Sequence, residues 1–426
     1  MRILYLVHQF YPMCYTGTEK FVLNIAKGAQ KAGNTVRVVT YGFYPEEFYD
    51  QQFKDNILYK TFAYSGVEVT CFCLLREPVH LHGALSFPEN PETEAFADMI
   101  LDAYSPDLIH SGHIMRVGSF IKRARERNIP YIMTLTDFWM FCHKGIMVTD
   151  KGEICEGSDT CRNCAQCAGF TSGQKLERHS EAEEVMKSAA MVLSPSQFLA
   201  DMYNKEFPGL GVQVRFHGMN FSHLIRKQKR YANDDTEPLV FAFMGTLSPH
   251  KGAHLVIEAM NALPDLDIRM LVYGSAAEIN AAWLEELKQK ADDRCEFRGT
   301  YNEKEVGQVL EGIDVVIIPS MWYENYPLVL HEAFASFIPV VGTALGGMAE
   351  KIKDGVNGCT FPVGDSAALA DIMRNMAANR EQINRFQDTL RRFMIPTVEQ
   401  EVYGYWERYK EILQRRGNHY ADTGME

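Results

Sequence analysis

The chain has 426 residues, more than a single hydrophobic core ordinarily holds, so two domains are expected. Hydrophobic residues make up 46% and charged residues 23%, the balance of a soluble globular protein. Acidic side chains outnumber basic ones, 55 to 43, and the net charge of −12 excludes general duplex-DNA binding, which needs a basic surface to release counterions. No apolar run reaches the ~18 residues of a membrane span. The N-terminal MRILYLVHQFYP lacks a small-residue cleavage pattern and reads as a strand, not a signal peptide, so the chain is assigned to the cytoplasm.

In chain order, ILYLV (3–7) and VRVVT (36–40) are short apolar runs. Between them EKFVLNIAKGAQKAG has helical spacing and stops at Gly33, which makes a βαβ unit. The stretch at about 43–87, rich in aromatic and β-branched residues, reads as an irregular meander of strands and loops. DLIH (107–110), YIMTLT (131–136), MVLSPS (191–196) and VQVRF (212–216) read as further strands with helices between most of them. HLIRKQKRYANDDTEP (223–238) is polar and charged and ends in proline, as a linker does. The alternation restarts with LVFAFMG (239–245), followed by IRMLVYG, CEFRG, VVIIPS and PVVGT. Apolar strand runs alternating with helices indicate parallel sheets covered on both faces. The predicted architecture is α/β, with two doubly wound Rossmann-like domains facing a cleft, 1–220 and 221–397, followed by a C-terminal helix and tail, 398–426.

Open α/β sheets bind ligands beyond the C-terminal ends of their strands. Four strand ends stand out. After VVIIPS comes WYENYPLVLHEAF (322–334), with Glu324 and Glu332 separated by seven residues. Pro327 suits the first turn of a helix. Glu324, Asn325 and Tyr326 then fall in the preceding loop, and Glu332 lies over a turn into the helix, so the two carboxylates would grip two parts of one elongated ligand. After LVFAFMG comes GTLSPHKGAH: Gly245 admits close backbone approach, and Lys251 and Gly252 open a helix whose free N–H groups favour a phosphate. ALGGMAE and HQFYPMCYTGTEK, the latter with Gly17, are further glycine-bearing turns into helices. Taken singly, each such glycine also fits an ordinary strand–helix turn.

HQFYP…TGTEKFVLNIAKGAQKAGNTVRVVT, GTLSPHKGAHLVIEAM, IIPSMWYENYPLVLHEAFASFIPVV and GGMAEKIKDGVNGCTF together resemble the GT-B glycosyltransferases of family 4 (glycosyl transferases group 1), across both domains and in the family's order. The Glu-x7-Glu pair is the specific signature. The resemblance implies a retaining transferase that takes a sugar from a nucleotide-diphosphate sugar to a glycan or lipid-linked acceptor, without a catalytic divalent ion, in surface polysaccharide assembly. It implies that Glu332 accepts from ribose hydroxyls and Glu324 approaches the donor sugar. Backbone N–H groups of Asn325 and Tyr326 meet sugar hydroxyls, Gly17, Gly245 and Thr246 lie at the donor phosphates, and Lys251 neutralises the departing diphosphate. The chain departs from the pattern at three places. Thr246 stands where the family often has Arg, Thr136 where it often has His, and Thr16-Gly17 where Gly-Gly is usual. Asp137 matches. His110 and His113, in DLIHSGH, are candidates to replace the missing histidine, with His113 taken as the catalytic one; the alternative is that both are loop histidines without a role.

Five of the ten cysteines lie in FCHKGIMVTDKGEICEGSDTCRNCAQC. The spacing favours a structural tetrahedral zinc on Cys142, Cys155, Cys164 and Cys167, with Cys161 spare or substituting; an iron–sulfur cluster and free thiols are the alternatives. A related cysteine-bearing loop occurs in some members of the family. IKRARER (121–127) and RKQKR (226–230) are basic and offer peripheral contact with the inner face of a membrane, against the plainer reading of solvated faces. VEQEVYGYWERYKEIL (398–413) has the spacing of a core-packing helix, and the resemblance implies that it crosses back to the first domain. Two other functions share the donor motif: a sugar-nucleotide epimerase, and a non-catalytic nucleotide-sugar-binding protein suggested by Thr136 and Thr246.

Overall fold

The computed structural model describes residues 1–14, 16–42, 44–49, 53–76, 91–167, 169 and 171–422. The chain divides into two compact units, Met1–Gly218 with Pro396–Glu426, and Met219–Ile395. Of the expected meander, residues 43, 50–52 and 77–87 lie outside the described set, as do Tyr15 and 423–426.

The first unit runs β1 (Arg2–Val7), α1 (Gly17–Lys31), β2 (Thr35–Tyr41), β3 (Phe53–Lys54), β4 (Ile57–Tyr64), β5 (Val67–Leu74), α2 (Pro91–Tyr104), β6 (Leu108–Ser111), α3 (Gly118–Glu126), β7 (Tyr131–Thr134), α4 (Ser172–Lys187), β8 (Met191–Ser194), α5 (Gln197–Glu206) and β9 (Gln213–Val214). The sheet order is β3-β4-β5-β2-β1-β6-β7-β8-β9, with β1 parallel to β2 and β6. The described part of the meander is an antiparallel edge, β3–β4–β5, that joins the sheet through β5. The α1 helix forms because Phe21, Val22, Ile25, Ala26 and Ala29 recur on one face and bury there, while Thr16 and Glu19 close a capping box at its start.

The second unit runs β10 (Leu239–Met244), α6 (Ala253–Asn261), β11 (Ile268–Tyr273), α7 (Ala281–Lys290), β12 (Cys295–Gly299), α8 (Val306–Glu311), β13 (Val315–Ile318), α9 (Leu328–Ala335), β14 (Val340–Thr343), α10 (Gly346–Lys351), β15 (Gly358–Phe361), α11 (Ser366–Ala378) and α12 (Glu381–Leu390). Its six strands are all parallel, in the order β12-β11-β10-β13-β14-β15. Alternation sends Phe241, Phe243, Val315 and Ile317 into one core and Ala242, Met244, Val316 and Ile318 into another, so helices cover both faces. The final helix, α13 (Val398–Asp422), belongs to the first unit and packs on α1. Gly28 allows this: a Cβ there would fall 2.3 Å from the Val402 side chain.

The segment at 223–238 is not the free linker expected from its polarity. Lys227 Nζ is buried against Asp314 at 2.9 Å and donates to the carbonyls of Glu311 and Ile313 at 2.8 and 2.7 Å. Arg230 pairs with Asp388, and the Tyr231 hydroxyl donates to Asp314 at 2.7 Å. Its charges strap the segment onto the second unit.

Candidate functional site

The second sheet grows outward from β10, with β11 on one side and β13 on the other. That reversal is the topological switch point, where the loops after β10 and β13 leave adjacent strand ends and diverge. The first loop carries Lys251 and the second Glu324. They are stitched together: Met321 N–H donates to His250 O at 2.8 Å, and Gly252 passes so near Pro319 that a Cβ would lie 2.0 Å from its carbonyl oxygen. Gly252 also has φ +77°, a conformation that favours glycine.

The result is a direct ion pair, Lys251 Nζ to Glu324 Oε1 at 2.7 Å. Two further donors reach the same oxygen, Ser320 Oγ at 2.8 Å and Trp322 Nε1 at 2.9 Å. The Trp322 ring also lies under the Lys251 ammonium, 4.7 Å from its centroid. Burial pushes the Glu324 carboxyl up, but the Lys251 charge and the three donors outweigh it and hold the group below the ordinary carboxylate range.

Pro327 caps α9 and Glu332 is the helix's fifth residue, buried. Its carboxylate lies close enough to Tyr301 to add to burial in raising that phenol. Tyr326 stacks on His331 with ring centroids 3.8 Å apart. Asn325 and Glu324 turn their carbonyls toward α10: Gly347 N–H donates to Glu324 O at 2.7 Å, and a Cβ on Gly347 would meet Asn325 O at 2.3 Å. One donor of the Gly-Gly turn therefore holds the Glu324 loop and is not available to an anion. Gly245 N–H is taken by Tyr273 O at 3.0 Å, and Thr246 is exposed. Sequence reasoning did not single out Ser320 and Trp322, although they lie four and two residues before Glu324.

The first sheet has the corresponding reversal at β1 and β6. Gly17 opens α1 there, and Thr16 N and Oγ1 both donate to the fully buried Glu19 carboxylate, at 2.7 and 2.6 Å. His8, also not foreseen, lies against His113 with the rings tilted and their centroids 4.1 Å apart, and sits 3.9 Å from Glu19 Oε1. Burial, then the neighbouring His113 and Arg116, lower the His8 pKa, so it is neutral. His113 Nδ1 accepts from Met115 N–H at 3.1 Å. Its Nε2 therefore carries the proton and donates to Asp137 Oδ2, also at 3.1 Å. Both ring nitrogens are thus engaged, and the imidazole orients Asp137. His110 is a core residue: Nδ1 meets the Tyr409 hydroxyl at 2.6 Å, Nε2 meets Thr134 Oγ1 at 2.8 Å, and burial pushes its pKa down to about 3.

Nothing in the structure supports the expected metal centre on Cys142, Cys155, Cys164 and Cys167. Among the described residues no three His, Cys, Asp or Glu side chains are grouped to hold a metal ion, zinc or cluster alike. Burial raises the Cys142 and Cys155 thiols, and the hydrogen bond between Cys161 and Cys164 raises Cys164 and lowers Cys161. Cys155 Sγ donates to Gly157 O at 3.4 Å, and Cys161 Sγ to Lys175 O at 3.2 Å. The loop is anchored instead by Glu206, which accepts from Ser158 N, Ser158 Oγ, Thr160 N and His179 Nε2.

The basic segments are likewise compensated within the chain. Lys122 pairs with Glu94, Arg123 with Asp98 and Glu126, Arg125 with Glu184, and Arg127 with Asp98 and Asp102. In RKQKR, Lys227, Lys229 and Arg230 are paired with Asp314 or Asp388. Among the described residues no helix is long and apolar enough to cross a membrane.

Residues 225–393 match the family described as Glycosyl transferases group 1, and residues 16–203 the Glycosyl transferase 4-like domain. The chain is 28% identical over 229 residues to a lipopolysaccharide 1,2-N-acetylglucosaminetransferase of Salmonella typhimurium; the match covers 49% of this chain and 59% of that enzyme, so the chain spans less than two thirds of it. An uncharacterized glycosyltransferase of Methanocaldococcus jannaschii is 25% identical over 424 residues, covering 97% of this chain and 100% of that one. Among solved structures, the Anabaena protein HepE in complex with UDP and glucose superposes with TM-score 0.67 at 18% identity, over 96% of this chain and 99% of that chain. The two Rossmann-like units have the GT-B fold. The chain thus carries a glycosyl transferase 4-like domain followed by a glycosyl transferases group 1 domain.

Proposed function

We propose that this protein is a retaining glycosyltransferase that moves a sugar from a nucleotide-diphosphate sugar to a hydroxyl of a glycan or lipid-linked acceptor in surface polysaccharide assembly. The observation that carries the reading is the Lys251–Glu324 pair at the switch point of the second unit, with Glu332 buried on the helix that follows. In this scheme Lys251 meets the diphosphate, Glu324 a hydroxyl of the donor sugar, and Glu332 the ribose hydroxyls. Backbone N–H groups of Asn325 and Tyr326 serve the sugar. Gly17, Gly245 and Thr246 allow the phosphates close approach.

The bond from the anomeric carbon to the diphosphate breaks, and the acceptor oxygen bonds to that carbon on the same face. The acceptor proton passes to the departing phosphate. Lys251 supplies the charge that stabilises the leaving group, so no step calls on a divalent ion. His113, with both ring nitrogens engaged, serves by orienting Asp137 toward the acceptor. The UDP and glucose of the Anabaena complex support UDP-sugars as the first donors to test, and the Salmonella relative's name adds N-acetylglucosamine to the sugars.

The test is a screen of UDP-, GDP- and ADP-sugars for hydrolysis and transfer by wild type, Lys251→Ala and Glu332→Ala. Turnover that both substitutions reduce supports the assignment. An isomerised sugar would make the chain an epimerase, and tight binding without turnover a binding protein.

A further inference from the structure

Every hydrogen bond that reaches the Glu324 carboxylate from the described residues ends on one oxygen. Lys251 Nζ, Ser320 Oγ and Trp322 Nε1 converge on Oε1 at 2.7, 2.8 and 2.9 Å, and none reaches Oε2. A carboxylate accepts at both oxygens, so this arrangement pins the group by one end and leaves the other to receive a donor. Of the three donors, Trp322 alone also touches the cation: its ring face is 4.7 Å from Lys251 Nζ, within the range of a cation–π contact. The indole also meets the His250 ring in a T-shaped contact, with ring centroids 5.3 Å apart. Trp322 therefore grips both members of the ion pair, and unlike Lys251 it carries no charge that a phosphate would draw away. A diphosphate that engages the ammonium weakens its hold on Glu324; the indole N–H keeps its own.

We propose that Trp322 is a positioning residue for the donor site, fixing Oε1 of Glu324 so that Oε2 is presented to a hydroxyl of the transferred sugar while its ring holds the Lys251 ammonium in place. The proposal rests on the glycosyltransferase reading for the ligand's identity, but the coupling of Trp322 to Glu324 has its own readout.

The first measurement is that coupling. In full-length protein labelled with 15N at tryptophan, the Trp322 indole N–H signal is followed against pH and in Glu324→Gln, with UDP and UDP-glucose as probes. The expected result is a signal that moves as Glu324 takes up a proton and that is displaced in Glu324→Gln. The second is turnover by Trp322→Phe, which keeps a ring under Lys251 and removes the N–H. Loss of a hydrogen bond to a charged group predicts a fall in kcat/KM of about 10- to 100-fold, with the acidic limb of the pH profile moved to higher pH because Glu324 loses a donor to its ionised form. A merely structural tryptophan would leave that limb in place. An indole signal indifferent to both pH and Glu324→Gln, or a Trp322→Phe profile superposable on wild type, overturns the proposal. Absence of turnover in wild type with the coupling intact would sink the transferase reading and leave the Trp322–Glu324 contact standing.

Discussion

Lys251→Ala is expected to weaken the fold as well as any turnover, and the structure sets the size of the effect. The substitution removes the 2.7 Å ion pair and leaves a buried carboxylate with two neutral donors, Ser320 and Trp322. Breaking a fully buried pair costs about 3–5 kcal/mol. Here the lysine side chain keeps 24% exposure and two donors remain, so the lower range for a bond to a charged group applies, about 1.5–3 kcal/mol. For a unit of this size that is roughly 3–12 °C in the midpoint of its thermal transition. The loss depends on pH with a definite sign. The native Glu324 carboxyl lies below its ordinary value, so in wild type its contribution is present above the unfolded pKa and fades as pH falls through the folded one. In Lys251→Ala burial acts with less opposition and the folded pKa rises, so the deficit is largest at neutral pH and shrinks toward acid. Adding Glu324→Gln removes the stranded charge and should recover most of the lost stability. Differential scanning calorimetry of the two single variants and the double variant at neutral and acidic pH measures all of this. A Lys251→Ala midpoint equal to wild type at pH 7, or a double variant no better than the single, would refute the reasoning.

Gly252→Ala and Gly355→Ala form a matched pair, with φ +77° and +70°. Only at Gly252 does a Cβ meet backbone, 2.0 Å from Pro319 O. Conformation alone costs about 1–2 kcal/mol at either site, so Gly252→Ala should lose clearly more stability than Gly355→Ala in thermal unfolding and part Lys251 from Glu324; equal losses would contradict the close approach of the two loops. Burial raises the Glu206 carboxyl, but bonds from His179, Ser158 and Thr160 outweigh it, so its pKa is lowered. The clasp on the cysteine loop should accordingly loosen as pH falls through that depressed value, and Glu206→Ala should expose the loop at neutral pH, seen as faster reaction of its thiols with a thiol reagent. Elemental analysis of the purified chain should find no stoichiometric zinc or iron, and a chelator should leave its melting unchanged; one tightly held ion per chain would reverse the account of the loop.

The α/β class was legible because period and run length suffice for it: Ile3 to Val7 and Val315 to Ile318 are buried on both faces and read as continuous apolar runs. The polar segment at 223–238 misled because composition does not reveal a partner: Lys227 and Tyr231 meet Asp314 more than 80 residues away in the chain. The cysteine spacing says which thiols share a loop but not what else holds it: Cys155 and Cys161 donate to the carbonyls of Gly157 and Lys175, and Glu206, about 40 to 50 residues further on, ties the loop down. At the site, strand ends and glycines marked the loops that carry Lys251 and Glu324. The 2.7 Å pair and the two extra donors on Oε1 follow from β10 and β13 being neighbours, a fact of topology that no local pattern carries. His113 was recognisable as a histidine after a strand, but its engagement by Met115 N–H, which leaves it an orienting role, depends on backbone geometry.

The central claim is that the switch point of the second unit binds a nucleotide sugar through Lys251, Glu324 and Glu332. Calorimetric titration of UDP-sugars into wild type, Lys251→Ala and Glu332→Ala tests it most directly. Loss of one charge-assisted contact predicts affinity at least about 10-fold weaker in each variant, by way of the diphosphate in one and the ribose in the other, so that UDP alone should show both effects. Unchanged affinity for UDP and its sugars in both variants would contradict the claim.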